Sequence, residues 1–425
     1  GLHALFGQEY ARLVFGQTLI LALFPVVLYF LGKRLHSRAA GLTVALLAIF
    51  RELTSLWVAS DARVSNTKML LSEIITTLVL VAYLLVVLRW FGQKRGGFFL
   101  AFVCGGLLGL QILLRSQSAF LAPGILLLAL PIFWPDWKKW ILQSFLFAAG
   151  MILAVSPWLA RNYAVTGQVS LDDPIQILAV ASMYSGGTPT SNFPLFEGQT
   201  TEQVGQYVVD TILHKPGYVA GFVSNQFLAN TIDTLLILPI FARYDGLTAP
   251  IYLYWYEWDG HISASNAILF VVYLAVIAVG LATAWKRLRW AGLLPLTLFL
   301  FYNFSTSLAR YSGWRYIFPA DWVGYFYFSL GFIELSTWFL ALFGVVGRIG
   351  NPPEAEPSVG RNNISTYAVF AGFILLIGAL PWIVESSIPQ AKPICATSLV
   401  DCLTAQGVDA SQVRAFLDQP GAVGL

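Results

Sequence analysis

The chain has 425 residues, 57% of them hydrophobic and 11% charged, with 25 basic and 22 acidic side chains and a formal net charge of +3. That charged share is about half the share of an ordinary soluble domain, and the mean hydropathy of +0.70 excludes a soluble globular fold. The charge excess is too small for a nucleic-acid partner, and no basic run or aromatic-basic module supplies one; the partner that composition names is membrane lipid.

Apolar stretches of spanning or near-spanning length run over 13–32, 39–58, 73–92, 98–114, 118–134, 140–158, 267–285, 290–307, 317–346 and 366–385. They predict an all-α fold, a polytopic transmembrane helix bundle of about ten spans. The chain then divides into six N-terminal spans (1–158), a long extracytoplasmic loop (159–265), three more spans (266–346), a cytoplasmic linker (347–365), a last span (366–385) and a small extracytoplasmic tail (386–425). Lys33, Arg34 and Arg38, then Arg89, Lys94 and Arg95, then Lys138 and Lys139, then Lys286, Arg287 and Arg289 fall on alternate loops. Short basic loops stay in the cytoplasm, so both termini are expected outside.

The loop 159–265 is far longer than a structural turn needs, and loops of that kind carry function. Within it, 201–214 and 216–239 have helical periodicity suited to the membrane surface, and the aromatic run 251–258 is expected at headgroup level. Cys395 and Cys402 lie close together in the outer tail, where a disulfide is permitted. The four histidines are scattered and no CxxC or HExxH pattern occurs. No metal site built by the protein is therefore expected, although carboxylates leave room for Mg²⁺ or Mn²⁺.

Charges beside hydrocarbon are costly and need a partner or a task. By the predicted topology Arg51, Glu52, Glu73, Arg115, Arg161, Arg310 and Arg315 share one depth, near the outer membrane face. Such a set suits a cavity that holds an anionic headgroup, a lipid phosphate above all, against a carboxylate. Mutual pairing and anchoring of helix ends is the alternative for each residue. Glu73 opens the third span and is the candidate catalytic carboxylate, against a plain helix-dipole role. Arg115, Arg161, Arg310 and Arg315 are the candidate substrate-binding residues, because a guanidinium stays charged and grips two phosphate oxygens; the alternative is pairing with Asp172, Asp173 or Asp321. Tyr163, Tyr311 and Tyr316 are read as interfacial anchors, and the Asn303 and Asn363 glycan-acceptor patterns as coincidental.

Several strings resemble the GT-C glycosyltransferases of the protein-mannosyltransferase and aminoarabinose-transferase type. They are EYARL (9–13) with YFLGKRLHSRAAGLTVALLAI (29–49), SEIITTLVLVAYLLVVLRW (72–90), GLLGLQILLRSQSAFLAPGILLL (106–128), SPWLARNYAVTGQ (156–168) and ARYSGWRYIFPADW (309–322). In order, they cover most of residues 10–335.

The resemblance implies inverting transfer of a sugar from a polyprenyl-phosphate donor to an extracytoplasmic protein, lipid or glycan acceptor, in the plasma membrane of a prokaryote with the active site facing outward. It places Glu73 and Arg115 at the family's acidic and outer-arginine positions. In that family a first helix and a large outer loop with the principal carboxylate precede the stretch where this chain starts, so the resemblance also implies a chain trimmed before Gly1. Two other functions remain open: a transporter of lipid-linked substrates, disfavoured by the absence of an inverted repeat, and a non-catalytic scaffold subunit.

Overall fold

In hydrocarbon every backbone polar group must be satisfied within the chain, which leaves an apolar sequence of this kind the helix as its economical form. A computed structural model of the protein describes residues 6, 9–58, 66–69, 72–93, 97–171, 175–187, 191–236, 264–309, 314–344 and 368–376, with the single positions 379, 409 and 411; among these, helices are the only regular structure. The chain divides into two units, Gly1–Gly378 and Ala379–Leu425. Of the second, the described part includes Asp409, whose Oδ1 accepts hydrogen bonds from the Ser411 amide and hydroxyl.

The first unit begins with α1 (Tyr10–Leu35), which breaks at Ala22 because Pro25 has no amide to bond the Leu21 carbonyl. It is followed by α2 (Arg38–Val58), α3 (Ser72–Gly92), α4 (Phe98–Leu114), a 3₁₀ turn (Ser116–Phe120), α5 (Leu121–Phe133) and α6 (Trp137–Thr166). Next come α7 (Ile175–Tyr184), α8 (Thr201–His214), α9 (Pro216–Leu236), α10 (Ala264–Leu288), α11 (Leu294–Ala309) and α12 (Trp314–Leu342). Residues 368–376 are also helical, and Ile374 packs on Gly106 of α4.

Six helical stretches among the described residues are long and apolar enough to cross a membrane, which marks the chain as an integral membrane protein. They are Tyr10–Leu35, Ser72–Gly92, Ser116–Phe133, Trp137–Thr166, Val271–Leu308 and Tyr316–Leu342. The difference from about ten has four sources. Helix α2 is described at its side chains without a break only over 38–53, and α4 has only 17 residues. Val271–Leu308 contains both α10 and α11. The segment 366–385 lies largely outside the described residues. Between α10 and α11 the chain turns back on itself: a side chain added at Gly292 would sit 2.3 Å from the Ala284 carbonyl oxygen, eight residues earlier.

Close backbone approach sets the helix pairs. Gly105 and Gly150 bring α4 and α6 together, since a Cβ at Gly105 would lie 1.8 Å from the Phe147 carbonyl oxygen. Gly280 and Gly331 do the same for α10 and α12, each facing the other's amide nitrogen at 2.9 Å from its would-be Cβ. Such small-residue seams exploit dispersion where no hydrophobic effect is available between helices in lipid. Two polar ties add direction: the Trp90 indole donates to Gln143 Oε1 at 2.5 Å, joining α3 to α6, and Asn230 Nδ2 donates to Asn303 Oδ1 at 2.9 Å, joining α9 to α11.

The basic turn after α1 meets the basic end of α10. Arg287 donates to the His36 carbonyl, and His36 Nε2 lies 3.1 Å from Glu334 Oε2 of α12. Burial, followed by Arg287, pushes His36 below its ordinary pKa, while Glu334 pulls it up. Two of the loops expected on one side of the membrane thus stand at one end of the bundle. At about 1.5 Å per residue along a helix, Glu52 stands about 21 Å from Arg38, at the other end.

In the long connection, α8 and α9 match the two periodic segments, and α8 opens on a capping box between Thr200 and Gln203. Helices α7, α8 and α9 share an apolar cluster of their own that includes Ala181, Tyr184, Phe196, Val204, Val208 and Val219. Residues 159–166, the start of that connection, are helical. Helix α6 runs through Pro157 to Thr166 and stops at Gly167, whose φ of 73° closes it in the left-handed region. Cys395 and Cys402, the aromatic run 251–258 and the linker 347–365 lie outside the described residues; Cys104 is buried in the α4 core.

The glycine seams give a direct check. Gly280→Val should lower the thermal unfolding midpoint of the detergent-purified chain strongly, by an overpacking cost of about 1–3 kcal/mol or more. Gly221→Ala, where nothing lies within 4 Å of the added methyl, should leave it unchanged or raised by up to about 1 kcal/mol. Equal behaviour of the two variants would remove the seam.

Candidate functional site

The end of the bundle opposite the basic turns is where α2, α3, α4 and α12 bring their charges together. Glu73 opens α3, where a carboxylate favours the helix dipole, and it is 1% exposed. Arg115 stands between α4 and the 3₁₀ turn in extended backbone, with φ of −157°. Arg115 Nη1 lies 2.8 Å from Glu73 Oε1, and Arg115 Nε donates to Gln117 Oε1 at 2.5 Å. The pair is held from below as well: Ser72 Oγ approaches Glu73 Oε2 at 3.4 Å, and Thr77 Oγ1 donates to the Glu73 carbonyl at 2.7 Å. Tyr302 and Tyr316 lie in electrostatic reach of Arg115.

The polar shell of this pair is only partly used. Gln111 Oε1, Gln117 Nε2 and Ser118 Oγ are buried side-chain atoms without a hydrogen-bond partner among the described residues. Each carries a desolvation cost of about 1–3 kcal/mol when left unmade.

A second charge cluster lies beside the first. Arg51 Nη2 is 2.7 Å from Asp321 Oδ2, Arg51 Nη1 donates to Ser55 Oγ at 2.8 Å, and the guanidinium carbon sits 4.5 Å above the Phe318 ring. Glu52 Oε1 accepts from both the amide and the hydroxyl of Thr67, at 2.8 and 2.7 Å, while Glu52 Oε2 lies 4.0 Å from Arg51 Nη1. Gln17 of α1 ties in by donating to the carbonyls of Thr67 and Met69.

Of the residues singled out from sequence, the structure thus brings together Glu73 and Arg115 as one pair, and Arg51 and Glu52 as part of another. Arg161 does not begin a loop; it lies on the last turns of α6, over the Trp158 ring at 5.1 Å, and donates to Asn162 Oδ1 at 3.0 Å. Arg310 and the Arg315 side chain lie outside the described residues, as do Asp172 and Asp173; Arg315 itself is in the first turn of α12. Asp321 takes Arg51 as its partner. Its place near the start of a long apolar span was the available signal, together with a lone arginine inside another span. Tyr325 and Gln117 carried no such signal, being one aromatic and one amide among many.

No three His, Cys, Asp or Glu side chains gather among the described residues, and Arg51 lies between Glu52 and Asp321.

Removing one partner of a buried ion pair strands the other. Glu73→Gln and Arg115→Gln should each cost about 3–5 kcal/mol of stability, and the double variant much less than their sum, measured by a denaturation cycle on the purified chain. Additive costs would mean that the two residues do not act as a pair. Compared with known proteins, the chain matches no family model, no curated protein and no solved structure.

Proposed function

We propose that the chain is an integral-membrane glycosyltransferase that moves a sugar from a polyprenyl-phosphate donor to an extracytoplasmic acceptor, in a bundle of about ten spans. The observation that carries the reading is the Glu73–Arg115 pair, 2.8 Å apart and buried at a helix end, with atoms of the neighbouring Gln111, Gln117 and Ser118 that have no hydrogen-bond partner among the described residues. A purely structural pair would be expected to have its shell satisfied. Here stability is given up at the position where the sequence resembles the acidic and arginine positions of GT-C enzymes.

In this reading the donor phosphate takes Glu73's place on Arg115, two oxygens to one guanidinium. The released Glu73 carboxylate accepts the proton of an acceptor hydroxyl. As the acceptor oxygen bonds to the anomeric carbon from the opposite face, the bond from that carbon to the phosphate oxygen breaks and the polyprenyl phosphate leaves with its electron pair. Arg161, at the end of α6, supplies further positive charge to the donor, a role we also propose for Arg310 and Arg315. The membrane is the plasma membrane of a prokaryote, with this end of the bundle outward.

The test is transfer by the purified chain from polyprenyl-phosphate sugars to a membrane extract. The Glu73→Gln/Arg115→Gln double variant keeps the two side chains neutral and paired. It should fold and lose transfer by about 10²-fold or more, the scale of a missing general base. Full transfer by that variant, or none by the native chain with any such donor, would overturn the reading.

A further inference from the structure

Beside the Arg51 cluster lies a cavity of about 210 Å³ between α1, α2 and α12, far more than a single water needs. Its walls are largely apolar, with Leu21, Phe24, Leu53 and Leu56 among them, and its polar floor holds Arg51, Glu52, Asp321 and Tyr325. Thr18, Ala22, Ile49 and Leu53 line it from exposed positions. Ile49 is 44% and Leu53 56% exposed on a surface that also carries Leu46 and Phe50. The mouth therefore opens sideways, onto the apolar flank between α1 and α2, where the bilayer meets a protein of this kind.

Two features of the floor ask for a ligand. Among the described residues that line it, one arginine faces two carboxylates, one negative charge in excess. Asp321 takes the close contact with Arg51, so the excess falls on Glu52, whose Oε2 has, among the described residues, Arg51 at 4.0 Å as its partner. Independently, Tyr325 is 1% exposed, lines the cavity, and its hydroxyl has no hydrogen-bond partner among the described residues. A carboxylate oxygen held only by a long ion pair and a phenol without a partner among the described residues are both costly beside hydrocarbon.

We infer that this cavity binds an amphiphile whose head is a protonated amine and whose apolar chain lies along α1 and α2, entering from the bilayer. A single positive charge brings the floor to neutrality, which a divalent ion would overshoot and an anion would worsen. An ammonium carries three donors for Glu52 Oε2 and the Tyr325 hydroxyl, and an alkyl amine is protonated at neutral pH as lysine is. The site does not rest on the transfer reaction: its occupant is read by binding, whether or not a sugar is moved.

The experiment uses the full chain in nanodiscs of zwitterionic lipid, with thermal unfolding followed by tryptophan fluorescence. Dodecylamine, dodecanol and dodecyl phosphate, which share a chain and differ in head charge, are added in turn. Dodecylamine should raise the midpoint by about 3 °C, and the other two should not. The rise should disappear in Glu52→Gln, and also in Leu53→Trp, which fills the mouth from a half-exposed position and serves if the first variant fails to fold. A comparable rise with dodecanol or dodecyl phosphate would overturn the inference. So would a dodecylamine effect that Leu53→Trp leaves intact, or no rise with dodecylamine at all.

Discussion

A guanidinium and a carboxylate in contact at 2.8 Å, one 12% and the other 1% exposed at the side chain, form the constraint on which this end of the bundle depends. Neither charge is tolerable there without the other, because the penalty for taking an ion out of water exceeds what apolar packing can return. The pair therefore fixes the beginning of α3 against the end of α4. The surrounding backbone conforms to it: Arg115 leaves the helix in extended backbone, and the chain then tightens into a 3₁₀ turn before α5. The second pair, Arg51 with Asp321, imposes the same condition on α2 and α12. Two ion pairs thus position four helix segments that share little sequence character beyond being apolar.

The glycine seams make that arrangement possible. With Gly105 against the backbone of α6 and Gly280 against that of α12, helices approach closely enough for single side chains to reach across. In lipid this closeness is the main source of helix association. It is also rigid, since bulk can be added on neither side, and a rigid frame is what holds unsatisfied polar atoms in place without their collapsing onto one another.

Legibility in the sequence followed the physical scale of each signal. Long apolar runs announced α1, α3, α6 and α12, because hydrocarbon thickness imposes a length that a run of residues displays directly. The periodic segments of the long connection announced α8 and α9 for a similar reason. The apolar run ends at 158, but α6 continues to Thr166 and stops at Gly167, because a helix can outrun the apolar stretch that announces it. Glu73 and Arg115 stood out singly as charges where none should be. That they contact each other was not legible, since pairing depends on helix rotation and crossing, which no one-dimensional pattern records. Asp321 illustrates the same limit from the other side: it was visible as a possible partner for an arginine, and the geometry gave it a different arginine.

Helix α6 has a consequence that reaches past the site. Its 30 residues extend about 45 Å, against a hydrocarbon core of about 30 Å. Trp137, Lys138 and Lys139 at its start are residues of the water boundary, so the surplus accumulates at the far end. The last turns, from Arg161 to Thr166, therefore reach past the hydrocarbon into the depth of the headgroups. The connection that follows starts from the end of a continuous helix, so α7 is tied to a foundation in the membrane rather than to a floating tether.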